Sequence, residues 1–525
     1  MTSPNAISKI SPVVRRKPMQ VEDALKTVWG RLLIPSVADL FFIALMIWLF
    51  LSGPFGWQGL LADGDAGWHI RTGEFILSTH TVPHTDLYSF SKAGAPWFAW
   101  EWLSDVFFAE LCRVSGGLKG LVLMAGVVLA ATFTLLLRSM AWRGVTVWIA
   151  FPVAMLGLGA SSIHFLARPH IFTLLFLVIA LWMIEADRRS PSGRIWWLVP
   201  LTILWTNVHG GFLVIVAVLG VLVAGSALEA MLFRKTWEPV KRYAILAGSC
   251  AAATLVNPYG YQVHVHIVSY LRSDWIRNFI QEFQSPNFRS ESMFQFEALL
   301  FLGLLTATSF LRRRRITEAL WILTFAHLSL TSQRHIPVFV AITAPYIASE
   351  LNRWWETWSG DASIKSIRGI LRELGRDLVP SVARSSVWIF ALVAVLVLID
   401  EPVKWPQDFP SQMFPAAMAA KHRDLLAKSR LLTQDQWADY LIYRNPNGQK
   451  VFVDGRSDFF GPELGQEYLD MTQGRWNWHT LVEKNRFDTV LAPIDWPLTS
   501  LLKQAPEWAP VDDDGKAVLF VRRRP

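Results

Sequence analysis

The chain has 525 residues, of which 52% are hydrophobic and only 18% are charged. This balance excludes a disordered chain and argues against an ordinary soluble enzyme. The formal net charge is +8, but the basic residues fall in short clusters between apolar segments, which indicates membrane orientation and not nucleic-acid binding. The two cysteines, Cys112 and Cys250, provide neither a disulfide framework nor a cysteine-based metal site.

A basic segment, 1–32, opens the chain, and we expect it to be cytoplasmic. About eleven apolar segments follow, each near the length that a bilayer crossing requires. They are 33–53, 117–138, 145–163, 171–186, 195–208, 211–232, 243–258, 295–311, 316–333, 335–350 and 384–400. The pair 195–208 and 211–232 could be a tight hairpin or one helix broken between its halves. We therefore predict an α-helical polytopic membrane domain over 33–400.

Basic residues occupy every second connection between these segments, as the positive-inside rule demands. They are Arg15, Arg16, Lys17, Lys26 and Arg31, then Arg138 and Arg143, then Arg188, Arg189 and Arg194, then Arg234, Lys235, Lys241 and Arg242, then Arg312 to Arg315, and finally Arg353, Lys365, Arg368, Arg372 and Arg376. The alternation places the N-terminus in the cytoplasm and the C-terminus outside. The loop 54–116 and the tail 401–525 are then the two large outer pieces.

The most informative polar run is 63–74, Asp-Gly-Asp-Ala-Gly-Trp-His-Ile-Arg-Thr-Gly-Glu, shortly after the first span. Asp65 and His69 are four residues apart, so on a helix they share one face. A carboxylate and an imidazole on one face could form a base dyad or bind a divalent cation. Alternatively, Asp65 only caps a helix that begins at Ala66. We favour a functional role, with Asp63 as a weaker candidate, because charge at a bilayer boundary usually has a reason.

Glu101 is a further candidate in the same outer loop. It lies between Trp100 and Trp102, just before the second span. Burial at that position would raise its pKa towards the range of a useful acid or base. It could equally form a structural ion pair with Arg71 or Arg113.

Other polar residues collect at the predicted outer ends of the spans. They are His164, Arg168, His170, Asn207, His209, Asn257, Tyr259, Glu282, Arg334 and His335. Each alone is more often a structural hydrogen-bonding group than a catalyst, but all of them fall on the outer side. Arg168 and Arg334 are the natural phosphate binders, because a guanidinium matches phosphate oxygens in a bidentate way. His209 and His335 are further candidates for the same role.

The tail 401–525 is predicted to be an extracytoplasmic α/β domain. Strand-like runs at 449–454, 489–492 and 516–521 alternate with helical stretches, and about a hundred residues suffice for a separate core. Asp454 and Arg456 follow the first run, where a polar turn after a strand is a common ligand-binding position. They are candidates for an acceptor site, and a structural ion pair is at least as good an interpretation.

This arrangement resembles the GT-C glycosyltransferases, in which a first span leads to a long outer loop that opens on an acidic residue. The runs 65–77, 82–83 and 97–103 are similar to the first loop of the aminoarabinose-transferase and protein O-mannosyltransferase branches, and to bacterial membrane proteins with an Asp-x-Gly-Trp-His pattern. There are departures. Asp65 is followed by Ala66 where the mannosyltransferase branch has adjacent Asp-Glu, and the Lys-Pro-Pro element of the aminoarabinose branch is absent.

The resemblance implies an enzyme of the bacterial cytoplasmic membrane that moves a hexosyl or pentosyl group from a polyprenyl-phosphate-linked donor to a glycan, lipid or protein acceptor. Asp65 would be the general base, assisted by His69, with Asp63 and Glu101 as further catalytic candidates. A divalent cation, Mg²⁺ or Mn²⁺, would bind Asp65 and His69. The alternatives are a transporter or flippase of lipid-linked saccharide and a non-catalytic scaffold with a sensory outer domain.

Overall fold

A computed structural model describes residues 27–52, 56–290, 293–399, 403–445 and 448–523. Four basic residues that support the predicted orientation, Arg15, Arg16, Lys17 and Lys26, lie outside the described residues. So do most of the predicted cytoplasmic segment 1–32 and the first residues of the predicted tail.

Helices form most of the described chain. Those before residue 290 are α1 (Val28–Leu33), α2 (Val37–Ile47), α3 (Trp57–Leu60), α4 (Ala66–Thr79), α5 (Trp102–Ser115), α6 (Lys119–Trp142), α7 (Val147–Ser161), α8 (His170–Arg189), α9 (Leu198–Val208), α10 (Leu213–Phe233), α11 (Glu238–Ala253), α12 (Gln262–Arg272) and α13 (Asp274–Phe279). Those after it are α14 (Phe294–Arg312), α15 (Ile316–Thr331), α16 (Ile336–Ser359), α17 (Ile367–Ala383), α18 (Trp388–Leu398), α19 (Ala416–Lys421), α20 (Arg423–Lys428), α21 (Asp435–Arg444), α22 (Ser457–Thr472), α23 (Trp478–Lys484) and α24 (Pro497–Gln504).

Each of the eleven predicted spans coincides with a helix, but the count of eleven membrane crossings is not confirmed. Within the described residues, five helices are long and apolar enough to cross a bilayer. They are Lys119–Trp142, Val147–His164, His170–Arg189, Gly210–Phe233 and Phe294–Arg312. The pair α17 and α18, bent by 55°, could add a sixth. The apolar helix α15 has 16 residues, about 24 Å, which is shorter than the hydrocarbon core.

Helix α8 connects two polar regions of different character. At its C-terminal end, basic and acidic side chains of neighbouring helices form ion pairs, namely Arg143–Glu185, Arg188–Glu318 and Arg242–Asp187. Its 20 residues span about 30 Å, roughly the thickness of a bilayer core. The polar residues of the predicted outer side meet near its N-terminal end.

The tail contains a four-stranded sheet in the order β1-β2-β4-β3. Its strands are β1 (Leu431–Thr433), β2 (Thr489–Pro493), β3 (Trp508–Asp513) and β4 (Ala517–Arg522). The first pair is parallel and the other two pairs are antiparallel. The predicted strands at 489–492 and 516–521 are confirmed, and the strand at 449–454 is wrong. Val451 forms only isolated bridges to Ser89 and Leu431, so this run links the tail to the first outer loop.

The tail packs directly on the first outer loop through α21 and α4. Two glycines of the 63–74 run make this close approach feasible. A Cβ on Gly64 would overlap the backbone of Gln436, and a Cβ on Gly67 would overlap the carbonyl of Asp439. Arg71 then donates to the carbonyl of Tyr443. The tail therefore contributes, through α21, to the polar region that the first outer loop forms.

Candidate active site

A polar cavity of about 590 Å³ lies where the first outer loop, the N-terminal end of α8 and the tail meet. Nine of the ten predicted site residues line it, namely Asp63, Asp65, His69, Glu101, Arg168, His209, Arg334, His335 and Arg456. Asp454 does not line it. The structure thus brings together side chains that are up to about four hundred residues apart in the sequence.

Asp65 lies at the start of α4, in a turn held from two directions. Its backbone N–H donates to Asp63 Oδ1 (2.8 Å), and the neighbouring Gly64 N–H donates to Gln436 Oε1 (2.6 Å). Its side chain makes no capping hydrogen bond, so the interpretation of Asp65 as only a helix cap is wrong. Instead Oδ2 lies 2.6 Å from Arg168 Nη2.

Arg168 is the centre of an acid cluster that comprises Asp63, Asp65 and Glu282. Its guanidinium lies 2.9 Å from Asp63 Oδ2 and 3.1 Å from Glu282 Oε1, in addition to the contact with Asp65. Burial, together with the charges of Asp63 and Glu282, raises the pKa of Asp65 although Arg168 opposes the rise. Burial would also raise the pKa of Glu282, but Arg168 and Arg334 outweigh it and hold that pKa well below its ordinary value.

A further carboxyl group beside Asp65 comes from the tail. Asp439 on α21 accepts from the backbone N–H of Gly455, at 3.1 Å to each oxygen. A Cβ on Gly455 would overlap Asp65 Oδ1 and Asp439 Oδ2, so this glycine lets the backbone cover both carboxyl groups. Burial and the neighbouring charge raise the pKa of both groups. Asp65 therefore has an increased affinity for a proton.

Glu101 lies between two imidazoles at the start of α5. Its carboxyl oxygens are 3.5 Å from His69 Nε2 and 3.4 Å from His209 Nε2. Burial raises the pKa of Glu101 to about 7, although the charge of Arg168 lowers it. A carboxyl group with such a pKa exchanges protons near neutral pH, as the sequence predicted for this position.

The two arginines considered as partners of Glu101 have other contacts. Arg71 pairs with Glu74, and Arg113 pairs with Glu110. The alternative in which Glu101 forms a structural ion pair with either arginine is therefore wrong.

His69 pairs with Asp105, a residue that the sequence interpretation missed. His69 Nδ1 lies 2.5 Å from Asp105 Oδ1, and Asp105 is fully buried. The pair forms because α4 and α5 cross closely at Gly73, where a Cβ would overlap the carbonyl of Asp105. Burial lowers the pKa of His69 and raises that of Asp105. The imidazole is thus oriented towards Glu101 and not towards Asp65, so the predicted Asp65–His69 dyad is not formed.

His209 lies in the short connection between α9 and α10, at the cavity. Ser192, just before α9, accepts from the arginine that pairs with the C-terminal end of α8, and Glu229, near the end of α10, contacts the start of α15 at the same end. The two helices therefore run in opposite directions, which confirms the tight hairpin, and the single broken helix is wrong.

His209 Nδ1 accepts from the backbone N–H of Gly211 (2.9 Å) and lies 2.8 Å from Thr173 Oγ1. Because Nδ1 is an acceptor, the ring proton lies on Nε2, which faces Glu101.

Arg334 differs from Arg168 in its partners. Its guanidinium carbon lies 4.4 Å from the centroid of the Phe283 ring, and its side chain is near Tyr270. No carboxylate of the described residues forms an ion pair with it, although Glu282 is near. The adjacent His335 places Nδ1 3.1 Å from the carbonyl of Leu328. Unlike Arg168, Arg334 can therefore donate hydrogen bonds to an anion that enters the cavity.

Asp454 and Arg456 form a buried ion pair, which confirms the structural interpretation of these two residues. Arg456 Nη2 lies 2.6 Å from Asp454 Oδ2 and 2.8 Å from Asp86 Oδ1. The same guanidinium packs 4.6 Å from the Trp97 ring. Because Asp86 and Trp97 belong to the first outer loop, this network fixes the tail to that loop.

The residues predicted to bind a divalent cation do not fit one. Asp65 is bound to Arg168, and His69 is bound to Asp105 and faces Glu101. Across the described ranges, no group of three or more His, Cys, Asp or Glu side chains could hold an ion. We therefore derive no step through a metal.

Sequence reasoning missed three residues of the tail, namely Asp435 and Gln436, which line the cavity, and Asp439, which lies beside Asp65. A signal existed for two of them, since Asp435 and Asp439 are four residues apart and so share one face of α21. Nothing in the local sequence shows, however, that this face lies against α4.

No protein-family model matches the sequence, and no curated protein is significantly similar to it. Among solved structures, the oligosaccharyltransferase AglB of Archaeoglobus fulgidus, in complex with an inhibitory peptide and a dolichol-phosphate, superposes with a TM-score of 0.55 at 12% identity, over 95% of this chain and 75% of that one. An oligosaccharyltransferase of Archaeoglobus fulgidus in the apo form gives a TM-score of 0.53 at 12% identity, over 87% of this chain and 69% of that one. Apo ArnT from Cupriavidus metallidurans gives 0.45 at 15% identity, over 92% and 96%.

The likeness to the two oligosaccharyltransferase structures extends over most of the chain and defines the fold. Its apolar helices and this fold make the protein a multi-pass membrane protein that shares the architecture of the archaeal oligosaccharyltransferase. The resemblance seen in the first outer loop is confirmed at the level of the fold, together with the predicted α/β tail.

Proposed function

We propose that the protein is a membrane glycosyltransferase that moves a sugar from a polyprenyl-phosphate-linked donor to an acceptor hydroxyl on the outer face of the membrane. One observation carries the proposal. A carboxyl group with raised proton affinity, Asp65, shares a polar cavity with Arg334, whose guanidinium forms no ion pair with a carboxylate of the described residues. The dolichol-phosphate held by the archaeal oligosaccharyltransferase of the same fold supports a lipid phosphate as ligand.

In the proposed reaction, Asp65 takes the proton of the acceptor hydroxyl as its oxygen attacks the anomeric carbon. The bond between that carbon and the phosphate oxygen breaks, and polyprenyl phosphate leaves with the electron pair, with inversion at the sugar. General-base assistance contributes about 10²–10⁴-fold. The raised pKa of Asp65 suits this role, because a base with a very low pKa would remove a hydroxyl proton poorly.

Arg334 stabilises the charge that develops on the phosphate, since a guanidinium donates two parallel hydrogen bonds to phosphate oxygens. Arg168 was predicted to share this role. An anion that approached Arg168 would meet Asp63, Asp65 and Glu282 around it. We therefore assign Arg168 to holding Asp65 in place and Arg334 to the donor phosphate.

The two rival functions fit the arrangement less well. A transporter should place its ionisable groups near the midplane, where broken helices meet. Here a carboxylate-rich cavity lies at the N-terminal end of α8, and a network of arginine–carboxylate ion pairs lies at the other end. A scaffold would not need carboxyl groups with raised pKa values inside a cavity.

Asp65→Asn tests the proposal, because the amide keeps the shape of the side chain but cannot accept a proton. The purified protein is reconstituted in liposomes with a pool of lipid-linked sugars, and transfer is followed by mass spectrometry. We expect transfer to fall by about 10²-fold or more. The matched control is Asp495→Asn, at an exposed position of the tail. Full activity in Asp65→Asn would remove Asp65 from the mechanism, and inactivity of the unmodified protein with every donor would contradict the function.

A separate measurement identifies the sugar and the acceptor. Mass spectra of glycans and lipid carriers from a strain that lacks the protein should show one lipid-linked sugar accumulating and one glycoconjugate missing. An unchanged set of both would count against a transferase.

A further inference from the structure

The acid cluster of the cavity is arranged around a position where a cation is needed. Asp63, Asp65 and Glu282 come from two different parts of the chain and converge on one point. Like charges at such distances repel strongly in a partly buried site, so a positive group must lie between them. In many phosphate-processing sites that group is a divalent metal ion.

In this protein the guanidinium of Arg168 fills that point. Its Nη1 contacts Asp63 and Glu282 at 2.9 and 3.1 Å, and its Nη2 contacts Asp65 at 2.6 Å. These are hydrogen-bond distances, longer than the 2.0–2.1 Å that Mg²⁺ requires from its oxygen ligands. A metal ion bound by the same oxygens would have to displace the guanidinium.

A guanidinium suits this position chemically. It stays protonated at any accessible pH, and its planar fork can donate to several carboxylates at once. Arg334, near Glu282, adds a second positive charge on the same side of the cavity. Arg168 and Arg334 together offset most of the charge of the three carboxylates, so a phosphate group can approach without a metal ion.

We infer that Arg168 is a built-in cation that takes the place of a divalent metal ion in this acid cluster, so that transfer proceeds without Mg²⁺ or Mn²⁺. The inference deepens the proposed function, and only its activity measurements rest on that function. Arg168 acts here as a positioning residue, because it touches Asp65 and not the reacting atoms.

The first test uses the unmodified protein and Mn²⁺ as a probe. Electron paramagnetic resonance should find no stoichiometrically bound Mn²⁺, and transfer should be the same with a chelator as with added Mg²⁺ or Mn²⁺. One Mn²⁺ bound per molecule, or transfer that stops on chelation and returns with the metal, would overturn the inference. Because the resonance measurement needs no activity, it decides the inference even if the proposed function fails.

The second test removes the guanidinium with Arg168→Ala. We expect transfer to fall on the order of 10²-fold, because Asp65 loses its orientation and the carboxylates lose their counter-charge. Added guanidinium ion, at a concentration that leaves the unmodified protein unaffected, or Mn²⁺ should restore part of the rate. A variant with full activity, or one that neither cation improves, would overturn the inference. The control is Arg113→Ala, which breaks an ion pair on the exposed side of α5.

Discussion

The carboxyl groups of the cavity differ in their partners, and the partners decide where protons reside. Glu282 lies near two guanidinium groups and has a lowered pKa, whereas Glu101, between two neutral imidazoles, has a pKa of about 7. Asp65 and Asp439 both have raised pKa values, with burial as the main cause. Environments that push the pKa values of neighbouring acids apart are a common basis for acid–base catalysis.

Glu101 should make the stability of the folded protein depend measurably on pH. Its pKa rises from an ordinary 4.5 to about 7 on folding, so the folded protein holds the proton more tightly than the unfolded chain. The resulting stabilisation is present below about pH 4.5 and is lost as the pH rises to about 7, to a total of about 3 kcal/mol. The thermal midpoint in detergent should therefore decrease over this window, and less so in Glu101→Gln.

Glu110→Gln, which removes an exposed carboxylate on the same helix, serves as the control for that experiment. It should reproduce the pH profile of the unmodified protein. If Glu101→Gln also reproduces it, the carboxyl group is not held protonated by the cavity.

Arg456 should be among the residues on which folding depends most. Arg456→Met leaves Asp86 and Asp454 buried without their counter-charge, and breaking a buried ion pair in this way costs about 3–5 kcal/mol. The expected result is a clear drop of the thermal midpoint and faster proteolysis between the first outer loop and the tail. Arg475→Met, which removes a half-exposed partner of Asp470, should change neither. A variant Arg456→Met as stable as that control would contradict the account of how the tail is fixed.

At the scale of elements, glycines of the 63–74 run set the geometry of the site. They allow α4 to lie against both α5 and α21, which brings His69 to Asp105 and Asp65 to Asp439. A helix that met its neighbours through larger side chains would hold these groups several ångströms further apart.

Gly73→Ala tests this packing. The new Cβ would overlap the carbonyl of Asp105, so α4 and α5 must separate and the contact of His69 with Asp105 must lengthen. Overpacking of this kind costs about 1–3 kcal/mol, and we expect a corresponding loss of thermal stability together with a loss of transfer. The matched control is Gly220→Ala on α10, where a Cβ meets open space and should be neutral or mildly stabilising. Equal behaviour of the two variants would refute the close crossing.

The helices were predictable because their signal is local. An apolar run of sufficient length specifies a helix in a membrane protein whatever surrounds it, and every predicted span is helical. The run 449–454 has the composition of a strand, but Val451 found its partners in Ser89 and Leu431, which lie in separate segments. Pairing of that kind depends on how the tail docks, and local sequence does not encode it.

At the scale of the whole molecule, the protein has two chemically distinct ends. The cavity with its acids and imidazoles lies at one end of α8, and a network of arginines and acids lies about 30 Å away at the other. This polarity is what the alternation of basic connections predicts. The positive-inside rule predicts that these cationic loops stay on the cytoplasmic side, so we expect the cavity on the outer side.

Cysteine labelling tests that orientation. In a background with Cys112→Ser and Cys250→Ala, a cysteine at the exposed Lys428 of the tail should react with an impermeant reagent in intact cells. A cysteine at the exposed Lys241, at the start of α11, should react only after lysis. The reverse pattern would invert the topology and place the cavity in the cytoplasm.

The sequence predicted most of the site residues that line the cavity, but it did not predict which of them contact each other. Charge alternation alone places Arg168, His209 and Arg334 on the same side as Asp65. Which group contacts which depends on helix crossings and rotamers. The spacing of Asp65 and His69 therefore suggested a dyad, whereas the structure pairs them with Arg168 and Asp105.

The most direct test of the account is an electron cryo-microscopy map of the protein with bound polyprenyl phosphate. We expect density for the phosphate inside the cavity, within hydrogen-bond distance of Arg334, with the Asp65 carboxyl facing the space beside it. A phosphate bound elsewhere, or a map in which Asp65 packs away from any space open to the lipid, would contradict it.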